Sequence, residues 1–432
     1  MKRTVLILAL SLSAYCLWAQ SSREDIKKNV SLSGSNYLAY PAPLKALTPA
    51  PKGEKPFYIS HYGRHGSRFL IDPNDYDAPI LTFKRANEKG KLTELGQQTM
   101  AKIEKMKVES NKRLGELTEL GAVQHQQIAS RMYHRFPEVF KGDVHVDAKS
   151  TVVIRCILSM TNELMELTAL NPRLQITHDA SEHDMYYMNF NDKLTFKNRK
   201  NEDTKAFNEN YENSNIHPER LMETLFNDAE YVKLYVNERQ LMYQLFDLAT
   251  AVQNSEVRHE LSLFELFNEE EIYLNWQRKN IGWFQEYGSN ALNGGTQPFS
   301  QRNLLKMIIH EADSCMQFER PGATLRFGHE TMVLPLTCLL DLNGYGKTMT
   351  PDKLEENHWF NYRIFPMGAN IQFIFYRKNP SDKDILVKVL LNEEEATLPL
   401  TAVSGPYYRW SEVKDYYLNK ISNYEETLKE TN

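Results

Sequence analysis

Six short stretches of the chain are apolar or alternate between apolar and polar residues, which is the pattern of a β-strand. They lie at 57–61, 144–148, 174–178, 324–327, 371–376 and 385–391, and the last two are candidates for a hairpin. Elsewhere apolar residues recur every three or four positions, which predicts helices at 93–107, 118–133, 151–167, 301–318, 331–340 and 410–421. Because strands and helices alternate, we expect an α/β fold: a three-layer sandwich with a mostly parallel central sheet.

The middle of the chain has a different composition. Residues 185–297 are rich in Asn, Glu, Lys and Tyr, and their pattern predicts helices at 218–226, 229–251 and 260–287 with polar loops between them. The α/β pattern resumes near residue 298. A chain that leaves an α/β unit and returns to it forms one core with an insertion. We therefore expect an α/β core at 20–184 and 298–432, and an inserted α-helical cap at 185–297.

The first nineteen residues have the pattern of a secretory signal peptide. Lys2 and Arg3 precede a short apolar stretch at 4–12, and Ala19 is a candidate cleavage point. Cys16 leaves lipid attachment open as an alternative, although the residue before it is larger than this modification usually accepts. Cleavage near Ala19 predicts an exported protein, periplasmic or secreted, without an integral membrane segment.

The processed chain is acidic. Removal of Lys2 and Arg3 takes the formal net charge from −5 to −7, which does not favour binding to nucleic acid or to an anionic membrane. Cys156, Cys315 and Cys338 remain, too few for a disulfide scaffold, and a bridge between the last two stays open. No Cys or His cluster has the spacing of a metal site, so we expect neither a metal nor another cofactor. The oligomeric state is left open.

The first cluster of candidate catalytic and ligand-binding residues lies in the stretch FYISHYGRHGSRFL at 57–70. Arg64, His65 and Arg68 follow the predicted first strand, beside two glycines. Guanidinium groups match the oxygens of a phosphate, and a loop before a helix adds backbone N–H donors. A neutral imidazole at the centre of such a site is a competent nucleophile toward phosphorus. The alternative is a solvated basic turn. His61, inside the strand, is expected to be a hydrogen-bonded core residue.

Three later segments favour the phosphate site over the basic turn. Arg155 lies in the otherwise apolar stretch STVVIRCILS, where an arginine needs a partner or a ligand. His329 and Glu330 lie in TLRFGHET, which repeats the order of strand, glycine and ionisable residues at a helix start. There His329 is a candidate phosphate ligand and Glu330 a candidate general acid. The third segment is the helix after the second LTELG pentapeptide, which carries Arg131 and Arg135.

The order of these motifs resembles that of the histidine phosphatase superfamily. RHGxR follows a first strand, LTxxG heads a helix, ST…R opens the next strand–helix unit, and RFGH with a following acid comes late in the chain. More narrowly, the chain resembles the acid phosphatase and phytase branch, and most of all its multiple inositol polyphosphate phosphatases. The resemblance covers 56–180 and 300–345, with the predicted cap between them, where that branch carries its own cap.

The resemblance implies a role for each residue of the motifs. His65 would be the nucleophile that forms a phosphohistidine, and Glu330 would protonate the leaving alkoxide. Water would then hydrolyse the phosphohistidine. The phosphoryl oxygens would be held by Arg64, Arg68, Arg155 and His329.

The acid departs from the pattern of the branch. Most members have His-Asp at this point, whereas the multiple inositol polyphosphate phosphatases have His-Ala-Glu. In this chain Glu330 directly follows His329, and Thr331 takes the place of the later glutamate. Glu330 is one methylene longer than an aspartate, so either it serves after a small adjustment or the true donor lies elsewhere.

Together, these observations predict a metal-independent phosphomonoesterase that acts on a small phosphate ester. The resemblance makes inositol polyphosphates such as phytate the first substrate candidate. A basic stretch in the predicted cap would suit several phosphates, although a solvated loop is the simpler explanation; its residues are Lys193, Lys197, Arg199, Lys200 and Lys205. The alternative enzyme is a broad acid phosphatase or a sugar-phosphatase. The alternative of another class is a non-catalytic phosphate-binding protein that lacks a working acid.

Overall fold

A computed structural model describes residues 21–431, so the predicted signal peptide at 1–19, with Cys16, lies outside the described residues. The strands are β1 (Lys55–Arg64), β2 (His145–Ser150), β3 (Gln175–Ala180), β4 (Gly322–Gly328), β5 (Asn370–Arg377), β6 (Leu386–Leu391), β7 (Glu394–Ala396) and β8 (Tyr408–Arg409). The α-helices are α1 (Ser22–Lys28), α2 (Asn74–Glu88), α3 (Glu94–Glu109), α4 (Glu119–Arg135), α5 (Ile154–Leu170), α6 (Met185–Met188), α7 (Glu202–Asn215), α8 (Glu219–Leu225), α9 (Ala229–Tyr235), α10 (Glu238–Ala251), α11 (Glu269–Tyr287), α12 (Arg302–Cys315), α13 (Glu330–Leu339), α14 (Asn361–Ile364) and α15 (Trp410–Thr431).

The strands form one eight-stranded sheet in the order β3-β2-β4-β1-β5-β6-β7, with β8 beside β6. The first four of these strands run parallel, and the others attach through antiparallel pairs. The sheet is therefore mixed, and parallel pairing is confined to one side of β1. Helices join the parallel strands, whereas a short loop joins β5 to β6, which favours their antiparallel pairing.

Helices cover both faces of this sheet. Successive side chains of a strand point to opposite faces, so β1 sends Ile59 to one side and Tyr58 to the other. Ile59 packs in a cluster with Ala129 of α4 and Met160 of α5. Tyr58 belongs to a second cluster, which includes apolar residues of α12, α13 and α15. The three-layer α/β class predicted from the sequence is confirmed.

Two helices begin where their sequences predict. The hydroxyl of Thr93 accepts a hydrogen bond from the Gly96 N–H at 3.0 Å, and the hydroxyl of Thr118 accepts one from the Gly121 N–H at 3.3 Å. Both threonines are N-caps, which satisfy N–H groups that have no partner inside the helix. The two LTELG pentapeptides are thus two similar helix starts. Helix α2, which contains Pro79, was not predicted.

Between β3 and β4 the chain forms the helices α6 to α12. Leu245 of α10 and Trp276 of α11 belong to one apolar cluster with Phe83 of α2 and Ile103 of α3. The helical layer beside the sheet is therefore built from segments that are distant in sequence. The predicted cap boundaries, 185 and 297, stay a prediction.

Within residues 21–431, no helix is both long and apolar enough to cross a bilayer. In the same part of the chain Cys156, Cys315 and Cys338 are free thiols, so the bridge that the sequence left open is not formed. Burial raises the pKa of Cys156 and of Cys338 to about 12. Neither thiol is therefore a nucleophile at neutral pH.

Candidate active site

The predicted motifs meet at the carboxyl ends of three neighbouring parallel strands. β1 ends at Arg64, which lies opposite Gly328 at the end of β4. On the other side of β4, β2 ends at Ser150, opposite Phe327. The segments that follow these strands carry the ionisable residues of the motifs, so these residues converge at one edge of the sheet, which is the candidate active site. This edge of a parallel sheet is a common position for ligand sites in α/β proteins.

His65 is fully buried at the centre of the candidate active site. Its Nδ1 lies 2.9 Å from the carbonyl oxygen of Gly66, so we assign Nδ1 as the protonated nitrogen that donates this bond. Its Nε2 makes no hydrogen bond to any residue between 21 and 431, which leaves that lone pair free. Burial lowers the pKa of His65 well below 6.5, and Glu330, which acts in the opposite direction, does not offset it. The imidazole is therefore neutral at neutral pH.

Three guanidinium groups lie around the imidazole. Arg64, Arg68 and Arg155 each donate one bond from Nη1 to a backbone carbonyl, at 2.8, 2.9 and 3.5 Å. Within residues 21–431, Nη2 of Arg64, Nε of Arg68 and Nε of Arg155 are buried without a hydrogen-bond partner, whereas Nε of Arg64 faces the carboxylate of Glu330. Burial lowers the pKa of Arg64 to about 10, and the two other cations add to this because they are close. Free donors on three converging cations suit a tetrahedral anion.

Glu330, the first residue of α13, also lies in the candidate active site. Its Oε2 lies 3.0 Å from Nε of Arg64 and 3.6 Å from Nε2 of His65. Burial alone would raise the pKa of this carboxyl, but the positive charge of the adjacent Arg64, with a smaller contribution from Arg68, outweighs burial and holds the pKa well below 4.5. Glu330 is therefore a carboxylate in the free protein.

His329 is the N-cap residue of α13 and faces His65. The two ring centres lie 5.7 Å apart, and Nε2 of His329 lies 3.3 Å from the hydroxyl oxygen of Thr151. Burial lowers the pKa of His329 to about 4, with Glu330 opposing the shift and Arg155 supporting it. His329 is neutral at neutral pH, so it has one N–H to donate and one nitrogen that accepts.

The loop after β1 is held between two helices. The hydroxyl of Ser159 on α5 accepts from the Gly66 N–H at 3.1 Å. The side chain of Gln124 on α4 accepts from the Ser67 N–H at 2.8 Å and donates to the Ser67 hydroxyl at 2.9 Å. A Cβ at Gly66 would lie 2.5 Å from the carbonyl oxygen of Gly121, so this approach requires glycine. The LTELG motif marks Gly121, but neither Ser159 nor Gln124 was predicted.

Two tyrosines that were not predicted lie within electrostatic range of the site. Burial raises the pKa of Tyr37, on which Arg68 and Glu330 act in opposite directions. Burial also raises the pKa of Tyr287, and Glu330 contributes. The guanidinium carbon of Arg199 lies 5.4 Å from the centre of the Tyr287 ring. Tyr37 comes from the N-terminal lead-in and Tyr287 from α11, so no local pattern connects either of them to the motifs.

The geometry of the site also bears on metal binding. His65, His329 and Glu330 each offer one ligand atom, and these atoms lie within 4.8 Å of one another. The adjacent arginines make the surroundings positive, which favours an anion over a cation. A metal-free site stays a prediction, with this charge in its favour.

The structure brings together all six predicted site residues and leaves two other arginines outside. Arg131 donates to the carboxylate of Glu393 from Nε and Nη2, at 2.9 and 2.7 Å. Arg135 donates to the backbone carbonyl of Glu393 at 3.0 Å. Both arginines therefore stabilise a buried structural carboxylate. His61 is buried, but within the described residues neither of its ring nitrogens makes a hydrogen bond, so the prediction of a hydrogen-bonded core histidine is wrong.

A neutral histidine among free arginine donors, at the strand ends of a three-layer α/β fold, is the arrangement of a phosphomonoester hydrolase. The model of the histidine phosphatase superfamily (branch 2) matches residues 63–392. The chain therefore belongs to this superfamily, and the predicted family and enzyme class are confirmed.

Solved structures share the fold across most of the chain. The multiple inositol polyphosphate phosphatase of Bifidobacterium longum, in complex with inositol hexasulfate, is 19% identical with a TM-score of 0.76, over 88% of this chain and 96% of that one. The phytase from D. castellii is 13% identical with a TM-score of 0.64, over 91% and 85%. The Hafnia alvei phytase in complex with myo-inositol hexakis sulphate is 13% identical with a TM-score of 0.52, over 86% and 98%. Among curated proteins, none matches the chain.

Proposed function

We propose that the chain is an exported, metal-independent phosphomonoesterase that acts through a phosphohistidine on His65, with inositol polyphosphates as substrates. The observation that carries this proposal is Nε2 of His65, which is buried, has no hydrogen-bond partner in the described part of the chain, and lies among unpaired N–H groups of three arginines. A nucleophile held among preorganised cations can attack phosphorus while the cations stabilise charge on the equatorial oxygens. The proposal of export rests on the signal-peptide pattern of residues 1–19.

The first chemical step transfers the phosphoryl group to the protein. The lone pair of His65 Nε2 attacks phosphorus, the bond from phosphorus to the ester oxygen breaks, and the alkoxide takes a proton from Glu330. An alkoxide is a poor leaving group, so this proton lowers the barrier. The phosphoryl oxygens are held by Arg64, Arg68, Arg155 and His329.

Glu330 becomes a proton donor only after it has left Arg64. The incoming phosphate competes for the same guanidinium and places negative charge beside the carboxylate. Loss of the cation and gain of a neighbouring anion both raise the pKa of Glu330 from its depressed value in the free protein. Once its pKa has risen, the carboxylate takes up a proton from solvent, and this is the proton that Glu330 gives to the alkoxide in the first step.

The second step hydrolyses the phosphohistidine. Glu330, deprotonated by the first step, accepts a proton from water as the water oxygen attacks phosphorus. The phosphorus–nitrogen bond breaks, and its electron pair returns to Nε2 of His65. Inorganic phosphate leaves, Glu330 gives its proton to solvent, and the carboxylate pairs with Arg64 again.

Arg199, which lies near Tyr287 of α11, supports a substrate with several phosphates. The guanidinium carbon of Arg199 lies 4.6 Å from the ring centre of Phe196 and 5.4 Å from that of Tyr287, which lies within electrostatic range of Glu330. The side chain of Arg199 is 27% exposed, and its Nη1 lies 3.9 Å from a carboxylate oxygen of the partly exposed Glu286, a solvated ion pair from which a phosphate can displace the carboxylate. A cation held on aromatic rings near the reaction centre suits a second phosphate. The B. longum protein was solved with inositol hexasulfate, a polyanion of this kind.

The test of this proposal is phosphate release from phytate and from glucose 1-phosphate, with EDTA present. Wild type, His65→Ala and His134→Ala are compared, because His134 is an exposed histidine on α4 and serves as the matched control. We expect turnover of phytate by wild type and His134→Ala, none by His65→Ala, and a base-stable phosphohistidine on His65 after rapid quenching.

Other outcomes separate the alternatives. Equal turnover of both substrates would favour a broad acid phosphatase. Wild type that binds inorganic phosphate but releases none from either ester would overturn the enzyme proposal and leave a phosphate-binding protein.

A further inference from the structure

A buried polar cluster that the proposed mechanism does not use lies on the α4–α5 side of β1. It consists of His61 on β1, His125 on α4 and Glu163 on α5, with exposures of 1%, 0% and 0%. Nδ1 of His125 lies 2.8 Å from Oε1 of Glu163. The remaining polar atoms make no hydrogen bond to the residues that the structure describes; they are Nε2 of His125, Oε2 of Glu163 and both ring nitrogens of His61. An apolar pair of similar volume is often at least as stable as such a buried pair, so stability alone does not explain this cluster.

The loop after β1, which follows His65, is held by two clamps: Gln124 on α4 and Ser159 on α5. On the α4 side, the His125–Glu163 pair lies next to the first of these clamps. Gln124 directly precedes His125 and makes two hydrogen bonds to Ser67, at 2.8 and 2.9 Å. The same helix approaches the loop so closely that a Cβ at Gly121 would lie 2.2 Å from the carbonyl oxygen of Ser67. A displacement of α4 therefore moves the backbone that follows His65.

On the α5 side, Glu163 lies on the same helix face as Ser159, the second clamp. Arg155, Ser159 and Glu163 are spaced by four residues, so they lie on one face of α5. Ser159 accepts the Gly66 N–H at 3.1 Å, and Arg155 supplies one of the cations of the site. A displacement of α5 therefore moves both the loop and Arg155.

His61 connects the cluster to β1. A Cβ at Gly63 would lie 2.6 Å from Cε1 of His61, so the imidazole lies against the backbone just before Arg64. The rings of His61 and His125 both lie against Phe327 of β4, with ring centres 5.5 and 6.0 Å from that of the phenylalanine. Burial lowers the pKa of His61, and Glu163 opposes this shift. The strand and the two helices thus meet at this cluster.

We propose that His125 and Glu163 are positioning residues for the phosphatase reaction. Their buried hydrogen bond fixes α4 against α5, and it thereby holds the His65 loop and Arg155 at the separation that phosphoryl transfer requires. This inference rests on the proposed function of the His65 site. A misplacement of a reacting group by about 1 Å costs roughly 100-fold in rate, so a small change in helix spacing is enough to matter.

The test uses variants that stay folded. His125→Leu alone leaves the Glu163 carboxylate buried without a partner and is a poor choice, because such a variant can unfold. The double variant His125→Leu/Glu163→Met removes both polar groups and keeps the space filled. His125→Asn retains an N–H donor toward Glu163. The matched control is Gln126→Ala, because Gln126 donates to Asn162 at 3.0 Å and links the same two helices at a partly exposed position.

The measurements are kcat and KM on an aryl phosphate, the Kd for inorganic phosphate by calorimetry, and Tm. For the double variant we expect kcat to fall by about 10- to 100-fold and the phosphate Kd to weaken by at least about threefold, at an unchanged or higher Tm. The KM should change less than kcat, since it does not depend on alignment for attack. Gln126→Ala should match wild type, and His125→Asn should recover most of the lost kcat.

A purely structural role predicts a different result. The double variant would then keep wild-type kcat and phosphate affinity, whatever its Tm, and this outcome would overturn the positioning role. Equal losses in Gln126→Ala would also overturn it, because they would make any α4–α5 contact equivalent. If wild type hydrolyses no ester, the proposed function fails, and the phosphate Kd across the same variants still decides the positioning role.

Discussion

Glu330 and Arg64 form an ion pair at the point where the site offers its donors to a phosphate. Oε2 of Glu330 lies 3.0 Å from Nε of Arg64, and the two side chains are 12% and 0% exposed. Shielding from water strengthens such a pair. The proposed acid and the substrate therefore compete for one guanidinium, and the carboxylate is unprotonated until the substrate displaces it.

Replacement of Glu330 should affect esters according to their leaving group. We expect Glu330→Gln to lower kcat on an alkyl phosphate by roughly 100- to 10,000-fold, because the alkoxide then leaves without a proton. The loss on p-nitrophenyl phosphate should be much smaller, since that leaving group needs no proton. Steady-state kinetics on both esters is the measurement. Thr331→Val is the control, and a large loss there with none in Glu330→Gln would show that the donor lies elsewhere.

The same substitution should strengthen the binding of inorganic phosphate. Glu330→Gln removes a carboxylate that pairs with Arg64 and repels the dianion, so we expect the Kd to fall by about tenfold, or about 1.4 kcal/mol. Titration calorimetry at pH 7 measures this without any turnover. Glu330→Asp keeps the charge on a shorter side chain and should give an intermediate Kd. Weaker binding by Glu330→Gln would contradict the competition between carboxylate and phosphate.

The buried histidines should make stability depend on pH. Burial lowers the pKa of His329 to about 4, whereas an unfolded histidine titrates near 6.5, so the unfolded chain binds protons first as the pH falls. The free energy of unfolding is therefore fully present above about pH 6.5 and decreases toward pH 4, by about 3 kcal/mol for this one residue. Burial lowers the pKa of His61 and His65 as well, which adds to the same trend.

Urea unfolding at pH 7.5 and pH 4.5 checks this dependence. His329→Asn cannot take up the proton, so it should lose less stability than wild type between the two pH values. An exposed histidine provides the comparison, and His134→Ala should lose as much as wild type. Equal losses in wild type and His329→Asn would be inconsistent with a neutral, buried His329.

Arg199 should matter only for substrates with more than one phosphate. We expect Arg199→Ala to raise the KM for phytate by about tenfold, because a charge-assisted hydrogen bond is lost. The KM for p-nitrophenyl phosphate should not change. Lys197→Ala removes the same charge from an exposed side chain two residues away and is the matched control. Equal effects of both variants would reduce Arg199 to a general contribution to surface potential.

Much of the candidate site could be predicted because its residues lie in a few short segments of the sequence. Arg64, His65 and Arg68 lie within five positions, and the strand before them has its own local pattern. Arg155 stands out because charged residues are rare in apolar surroundings, and Glu330 because its segment repeats the order of strand, glycine and ionisable residues at a helix start. The helix starts at Thr93 and Thr118 were predictable for a similar reason, since an N-cap acts on N–H groups only two or three residues away.

The sequence by itself determined the family and the α/β class, and it predicted the six candidate site residues. The mixed sheet, the clamps of Gln124 and Ser159 and the ion pair of Glu330 with Arg64 were decided only by the tertiary structure. They depend on which surfaces pack together, and partners in such contacts are separated by tens to hundreds of residues. The low pKa values of His65 and Glu330 have the same origin, because burial and neighbouring charge exist only once the chain has folded.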